Sequence, residues 1–259
     1  MSITRTALAL GTFLAVAAPG AASADDSIKM RIPDIPVAAG AIEHETVETC
    51  WQNFGRAAQL SPDGCIVREQ YTATDRSHSL HVDKTSRRLR GETAKIDGTI
   101  FSWTSSGNEL VVGKGKPGRA GELSFAAEDG MWADTIARGW YAAVGEEVRD
   151  GRTVVRYDET AAAPNVEGTD VLYVDKATGQ LVERVLSAAH QHSVTKVLKR
   201  ETLPLNGQTK KLLEFGDHST ATIREVEGED ATIARAAKRA GLKSKTRAKI
   251  RQTLRKARR

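Results

Sequence analysis

The sequence has few cysteines and none of the common catalytic signatures. Only two cysteines occur among its 259 residues, and they do not form a C-x-x-C pair. Two thiols alone cannot supply the four ligands of a structural zinc site. The sequence also lacks H-E-x-x-H, G-x-S-x-G and G-x-x-x-x-G-K-[ST], which argues against a zinc metalloprotease, a nucleophile-elbow hydrolase and a P-loop nucleotide site. We therefore expect no enzymatic activity and no cofactor.

Charge is almost absent from the first two dozen residues. Arg5 is the only charged residue before Asp25, and an apolar run over residues 7–18 precedes the triplet Ala22-Ser23-Ala24. This arrangement predicts a secretory signal peptide at residues 1–24 with an A-x-A cleavage site. The apolar run is too short for a membrane-spanning helix. We expect an exported protein, in the periplasm, on the cell surface or secreted, without a lipid anchor because no cysteine follows the cleavage site.

Acidic residues are absent from residues 231–259, which contain twelve of the 38 Lys and Arg residues. The net charge of +5 therefore combines an acidic body with a basic tail at residues 229–259. The tail's Ala, Lys and Arg content favours helix, and repulsion between its charges favours partial disorder. We expect it to bind an anionic membrane or wall polymer, or to dock on the acidic body, while export argues against genomic nucleic acid. The candidate residues are Arg235, Lys238, Arg239, Lys243, Lys245, Arg247, Lys249, Arg251, Arg255, Lys256, Arg258 and Arg259.

The two cysteines, Cys50 and Cys65, are predicted to form a disulfide, because an even pair at this spacing is typical of exported proteins. Residues 25–40 contain two prolines and indicate a linker. The next segment has apolar residues at i, i+3, i+4, i+7 and i+11, which predicts a helix over residues 42–60. The disulfide would then join this helix to the first strand.

Turn signals recur after Gly64 and predict an antiparallel meander of about ten strands or more. They are Asp97-Gly98, Ser106-Gly107-Asn108, Asp150-Gly151, Lys176-Ala177-Thr178-Gly179 and Asn206-Gly207. A loop is predicted at residues 113–121. Residues 131–144 have apolar side chains at steps of four, which favours a short helix over a strand. The expected fold is α+β, a β domain at residues 41–228 in which helices cover one face of a curved, mainly antiparallel sheet.

Two consecutive hairpin segments resemble a known family of exported proteins. They are residues 144–157 (VGEEVRDGRTVVRY) and residues 171–185 (VLYVDKATGQLVERV), the second with an Asp-Lys-x-Thr-Gly turn. They resemble the second half of LolA-like and LppX/LprG-like lipoprotein and lipid carriers, a fold shared by RseB/MucB regulators. The resemblance implies an open half-barrel whose concave apolar face, under helices, holds acyl chains. It carries over no catalytic residues.

Two sets of side chains are candidates for a site. The aromatic and apolar set is either ordinary core or the lining of an acyl pocket, and it comprises Trp51, Phe54, Trp132, Ile136 and Trp140. The histidine pairs are His78 with His81 and His190 with His192. On a strand, His190 and His192 point to the same face, where they either share a metal ion or are simply solvated.

The sequence thus predicts a non-catalytic envelope protein that binds a lipid or a lipid-like amphiphile in a concave apolar pocket, with the basic tail as an electrostatic tether. The alternative is a regulatory or structural envelope protein that uses the same kind of domain to bind a protein partner.

Overall fold

Twelve strands form one sheet in the part of the chain that the structure describes. The computed structural model describes residue 35 and residues 37–60, 63–114, 124–163, 168–226 and 230–257. The strands are β1 (Ala41–Asn53), β2 (Gly64–Ala73), β3 (Arg76–Asp83), β4 (Leu89–Ile96), β5 (Thr99–Thr104), β6 (Glu109–Lys114), β7 (Tyr141–Arg149), β8 (Arg152–Glu159), β9 (Thr169–Asp175), β10 (Leu181–Ser187), β11 (Gln191–Pro204) and β12 (Thr222–Val226). The helices are α1 (Arg56–Leu60), α2 (Phe125–Ala137), α3 (Asp230–Arg239) and α4 (Ser244–Ala257), with a 3₁₀ helix at Thr209–Leu213. The predicted signal peptide and most of the predicted linker lie outside the described residues, as does most of the predicted 113–121 loop.

The sheet is built outward from β1, which lies in its middle between β2 and β11. The strands β2 to β6 extend antiparallel to one side, and the chain then passes through α2 to β7 at the opposite end. From there β7 to β11 return to β1, and β12 pairs in parallel with β6. The predictions of an α+β fold and of a mainly antiparallel sheet with about ten or more strands are confirmed.

Two hairpins follow the turn chemistry that the sequence indicated. Asp97 and Gly98 have φ angles of 51° and 73°, and Asp150 and Gly151 have 49° and 77°. Two successive residues with positive φ match the twist of the flanking strands in a two-residue hairpin. Both Asp-Gly predictions are therefore confirmed.

The Asn206-Gly207 prediction is wrong, because a 3₁₀ helix rather than a strand follows this turn. The side-chain oxygen of Asn206 accepts hydrogen bonds from the backbone amides of Gln208 and Thr209 at 2.9 and 3.1 Å. This Asx turn bends the chain into a helical turn instead of back along β11.

The predicted helix over residues 42–60 is also wrong. Most of this segment is β1, and only α1 at its end is helical. On a strand, Val47 and Cys50 point to opposite faces, so the helical spacing of the apolar residues was fortuitous. Pairing with β2 and β11 satisfies the backbone of β1 on both sides, and this tertiary context outweighs the periodicity.

The second predicted helix exists but begins and ends earlier than residues 131–144. It starts after Ser124, whose hydroxyl accepts a hydrogen bond from the amide of Ala127 at 3.0 Å, as an N-cap does. Gly139, with φ of 75°, follows the C-cap Arg138 and ends the helix. Val144 therefore lies on β7 and not on the helix.

The helices cover opposite faces of the sheet. Residues paired directly across neighbouring strands share a face, so Glu45 and Arg200 share one face while Phe101 and Ala94 share the other. Side chains of α2 bind Arg200. Side chains of α3 and α4 join a hydrophobic cluster with Phe101 and Ala94 on the opposite face.

The basic tail is part of the hydrophobic core, which its strongly basic composition did not indicate. Its helical prediction is confirmed, but the tail helices bury several side chains in the cluster around Phe101. Those side chains are Ile233, Ala236, Ala237, Ala240, Leu242, Ile250 and Leu254. Ile233 and Ala237 on α3, and Ile250 and Leu254 on α4, are four residues apart, so one face of each helix is apolar although the overall composition is strongly basic. Ala240 and Leu242 come from the connection between the two helices.

Candidate binding surfaces

Part of the aromatic set lies under α2. Trp132 and Trp140 are buried in a cluster with Tyr141 and Leu172, and Ile136 packs against it. Trp132 and Tyr141 meet edge to face with ring centroids 6.3 Å apart. The side chains of this cluster pack against one another in the space between α2 and the sheet.

The other two members of the predicted set lie elsewhere. Phe54 follows β1 and is 41% exposed. The indole of Trp51 lies so close to Gly64 that a Cβ at Gly64 would be 3.1 Å from Trp51 Cζ2. Neither side chain belongs to the buried cluster of Trp132. The role of the five residues as a pocket lining stays a prediction.

A buried ion network fixes α2 to the sheet. The guanidinium of Arg200 donates to Glu45 at 2.8 Å and to both carboxylate oxygens of Asp129 at 2.8 and 2.9 Å. Asp129 also accepts from the amide of Leu181 at 3.1 Å. Burial raises the pKa of Asp129, and the charge of Arg200 opposes this rise. Because Arg200 of the sheet binds Asp129 of α2 through two hydrogen bonds, the contact between α2 and the sheet is specific in geometry as well as apolar.

A cavity of about 500 Å³ lies at the end of the β8–β9 hairpin. Its lining is Arg156, Asp158, Glu159, Thr160, Ala161, Ala163, Gly168, Thr169, Asp170 and Val171. Ala163 also packs against the cluster of Trp132. Burial, followed by the nearby charge of Asp170, raises the pKa of Glu159. The cavity is therefore polar at its wall and borders an apolar cluster.

The edge strand β7 presents exposed apolar side chains. It ends the sheet and pairs with β8 alone among the described strands. Val144 and Val148 are 60% and 72% exposed, more than any other large hydrophobic side chain in the described part of the chain. Residues 142–146 are all exposed. This strand offers both unpaired backbone groups and apolar surface.

The basic residues of α3, α4 and the connection between them include two groups. Arg239 pairs with Asp75 and Asp97 of the β-sheet hairpins, and Lys243 pairs with Asp217 at 2.6 Å. Lys249 donates to the carbonyl oxygens of Ser219 and Ala221. These three cations bind the acidic body, as one sequence alternative proposed. An exposed group has no ion pair within the described residues, and it comprises Arg235, Lys238, Lys245, Arg251, Arg255 and Lys256.

Two side chains of the predicted tail set, Arg258 and Arg259, lie outside the described residues. Arg247, the remaining member, is half-buried.

A carboxylate–histidine network, which sequence reasoning missed, lies beneath the C-terminal helices. Glu92, 3% exposed, accepts hydrogen bonds from Nε2 of His78 at 2.7 Å and from Nε2 of His218 at 2.6 Å. Nδ1 of His78 donates to the carbonyl oxygen of Leu212 at 2.6 Å. Both nitrogens of His78 thus face acceptors. No sequence motif signals this network, because its members come from β3, β4 and the segment before β12.

The predicted histidine pairs do not come together as a metal centre in the part of the chain that the structure describes, where no group of three His, Cys, Asp or Glu residues could hold a metal ion. His78 is engaged by Glu92, while His81 contacts the hydroxyl of Ser79 at 3.0 Å. Nδ1 of His192 lies 2.8 Å from the hydroxyl of Ser187, and His190 is exposed.

The disulfide between Cys50 and Cys65 is present, as predicted. It does not join a helix to a strand, because the two cysteines lie directly opposite each other on β1 and β2. A disulfide is typical of proteins in oxidising compartments. Among the described residues, no helix is sufficiently long and apolar to traverse a lipid bilayer. Export by a signal peptide stays a prediction.

Comparison with known proteins gives similarity of fold only. No family model matches this sequence, and no curated protein matches it. A conserved uncharacterized protein from Thermus thermophilus matches with a TM-score of 0.43 at 10% identity, over 72% of this chain and 91% of that one. MucB from Pseudomonas aeruginosa, in its complex with MucA, matches with a TM-score of 0.39 at 14% identity, over 70% of this chain and 58% of that one.

The lipoprotein LppX from Mycobacterium tuberculosis matches with a TM-score of 0.35 at 11% identity, over 65% of this chain and 89% of that one. Proteins of the kinds that the hairpin segments resemble are thus among the solved structures similar to this chain. Ligand and partner do not follow from a likeness at this level.

Proposed function

We propose that the protein is a non-catalytic binding domain of the cell envelope whose edge strand β7 takes up an extended segment of a partner protein. The observation that carries this proposal is the exposure of Val144 and Val148 on an edge strand that pairs only with β8 in the described sheet. Addition of a strand at a free edge gains main-chain hydrogen bonds, and alternate side chains add specificity.

The charges of β7 do not oppose such pairing. Glu146 forms an ion pair with Lys176 at 2.7 Å, and Glu147 pairs with Arg149 at 3.3 Å. Arg149 also donates to Glu183 and lies 3.5 Å above the ring of Tyr173. Residues 141–148 contain neither lysine nor proline, two of the residues that natural proteins use to protect a sheet edge, although a bulge at Val144 interrupts the register with β8.

A photo-crosslinking residue at position 148, compared with one at Leu198, tests the proposal. Leu198 is also an exposed hydrophobic residue, 49% exposed, but it lies on the interior strand β11. We expect a protein adduct from position 148 that Val144→Lys suppresses, and none from position 198. A peptide with the crosslinked partner sequence should bind the wild type in calorimetry and fail to bind Val144→Lys/Val148→Lys. Equal adducts from both positions would refute the proposal.

A second candidate function, binding of a lipid-like amphiphile, is favoured by the cavity beside the Trp132 cluster. Its volume of about 500 Å³ lies within the range of small-molecule sites. Its wall combines Arg156 and Asp158 with small apolar residues such as Ala163, which suits a polar head group better than a bare acyl chain. Native mass spectrometry of protein purified from its own envelope tests this candidate, and protein free of bound lipid would count against it.

A further inference from the structure

The exposed cations of α3 and α4 form one outward face. Both helices bury their apolar sides in the same cluster on the same face of the sheet, and they contact each other. Their opposite sides therefore point away from the sheet in the same general direction. The exposed group of Arg235, Lys238, Lys245, Arg251, Arg255 and Lys256 lies on these sides. We call this group the cationic face.

Ion pairing with the body leaves the cationic face uncompensated. Among the described acidic residues, Asp75, Asp97 and Asp217 pair with Arg239 and Lys243, and the side chain of Glu214 lies beside Gly241, between the two helices. Residues 231–259 contain no acidic side chain of their own. Because all six members of the cationic face are exposed and none forms an ion pair within the described residues, their charge is directed to solvent.

The helices are held in place independently of any external ligand. Ile233, Ile250 and Leu254 are 2%, 1% and 5% exposed, and the backbone amide of Phe215 donates to the carbonyl oxygen of Ala240 at 2.8 Å. The cationic face is thus preorganised, and binding there does not require a disordered tail to become ordered. Because the apolar sides of both helices are buried in the core, attraction at this face is electrostatic and does not involve insertion of apolar side chains.

We infer that the cationic face docks the protein on the surface of a membrane that contains anionic phospholipid. A broad face of six cations spread over two helices fits an extended layer of phosphate head groups, to which each Lys or Arg near the surface adds an attraction. Nucleic acid is disfavoured as the partner because the Cys50–Cys65 disulfide is typical of compartments outside the reducing cytosol. This docking is independent of the partner proposed for β7.

The test is vesicle co-sedimentation of the full-length protein with equal amounts of phosphatidylcholine and phosphatidylglycerol. The variant Arg251→Gln/Arg255→Gln/Lys256→Gln removes three charges from the cationic face. The matched control Arg56→Gln/Arg152→Gln/Lys210→Gln removes the same charge at exposed positions elsewhere. All six positions are exposed, and thermal unfolding of both variants should match that of the wild type.

We expect the first variant to lose about 100-fold in vesicle affinity, because each removed cation costs about fivefold near an anionic surface. The control should lose far less, and high salt should release the wild type because exposed charges are screened. An equal loss in both variants would overturn the inference by showing that net charge alone matters. Equal binding to pure phosphatidylcholine vesicles, or binding to soluble inorganic polyphosphate without binding to vesicles, would overturn it as well.

Discussion

Nε2 of His218 lies 2.6 Å from Oε2 of Glu92, although 126 positions separate the two residues in the chain. Glu92 belongs to β4, and His218 lies in the segment that leads to β12 and the C-terminal helices. The amide of Gly216 donates to the same carboxylate at 2.6 Å. Glu92 is therefore a point at which the C-terminal part of the chain is fixed to the sheet.

Acidification should remove the stability that Glu92 contributes. Burial alone would raise the pKa of Glu92, but hydrogen bonds from His218, His78 and Gly216 outweigh it and lower the pKa from 4.5 to about 2. A carboxylate with a lowered pKa in the folded state stabilises fully above its unfolded value and loses this contribution as pH falls from 4.5 towards 2. Urea unfolding from neutral pH down to about pH 2.5 measures this loss.

The matched variant for this experiment is Glu92→Gln, which cannot ionise. It should be less stable than the wild type at neutral pH, and the difference in unfolding free energy should shrink as the pH falls below 4.5. Other acidic groups such as Asp83, whose pKa is also lowered to about 2, are present in both proteins and cancel. A difference that stays constant with pH would contradict the role of Glu92.

Loss of an apolar side chain from the C-terminal helices should destabilise the whole domain, because these helices bury one face of the sheet. Leu254 is 5% exposed in the cluster around Phe101, and Leu254→Ala should cost about 2–5 kcal/mol of unfolding free energy. The control Lys256→Ala, at an exposed position on the same helix, should change it by less than about 0.5 kcal/mol. Equal, small effects in urea denaturation would mean that the helices contribute little to the core.

Removal of Arg200 should destabilise the protein strongly. Arg200→Met leaves the carboxylate of Asp129 buried without its ionic partner and leaves Glu45 paired with Arg68 alone. Breaking a buried ion pair in this way costs about 3–5 kcal/mol. Arg152→Met, at an exposed position on β8, is the control for loss of a positive charge. Chemical denaturation measures both variants, and a loss below about 1 kcal/mol for Arg200→Met would show that the network is not needed.

The disulfide should stabilise the protein. Cys50 and Cys65 are separated by 15 positions, and a closed loop of about 15 residues contributes about 3 kcal/mol in the chain-entropy treatment. Cys50→Ala/Cys65→Ala should lower the unfolding free energy by about this amount, and thiol titration of the unfolded, unreduced wild type should find no free thiol. Two titratable thiols in protein isolated from its own compartment would contradict the pairing.

Short-range signals in the sequence were sufficient for much of the sheet. Asp97-Gly98 and Asp150-Gly151 adopt positive φ angles because this conformation is a local property of the turn residues. The disulfide could be anticipated from cysteine count and spacing. The basic composition of residues 231–259 indicated helix, which α3 and α4 confirm.

Only the tertiary structure decided what those elements do. Residues 42–53 have helical spacing but form a strand, because β2 and β11 supply backbone partners on both sides. The C-terminal helices are part of the core because they bury the apolar sheet face around Phe101. Phe101 precedes these helices by more than 100 positions, so local sequence does not indicate the contact. The network around Glu92 likewise joins residues from distant segments, and the unpaired backbone groups of β7 follow from its position at the end of the described sheet. Composition and local spacing thus determine the turns and the tendency to form helix. Which strand lies at the sheet edge, which face a helix covers and which side chains are buried are decided by the assembled sheet, because they depend on which distant strands become neighbours.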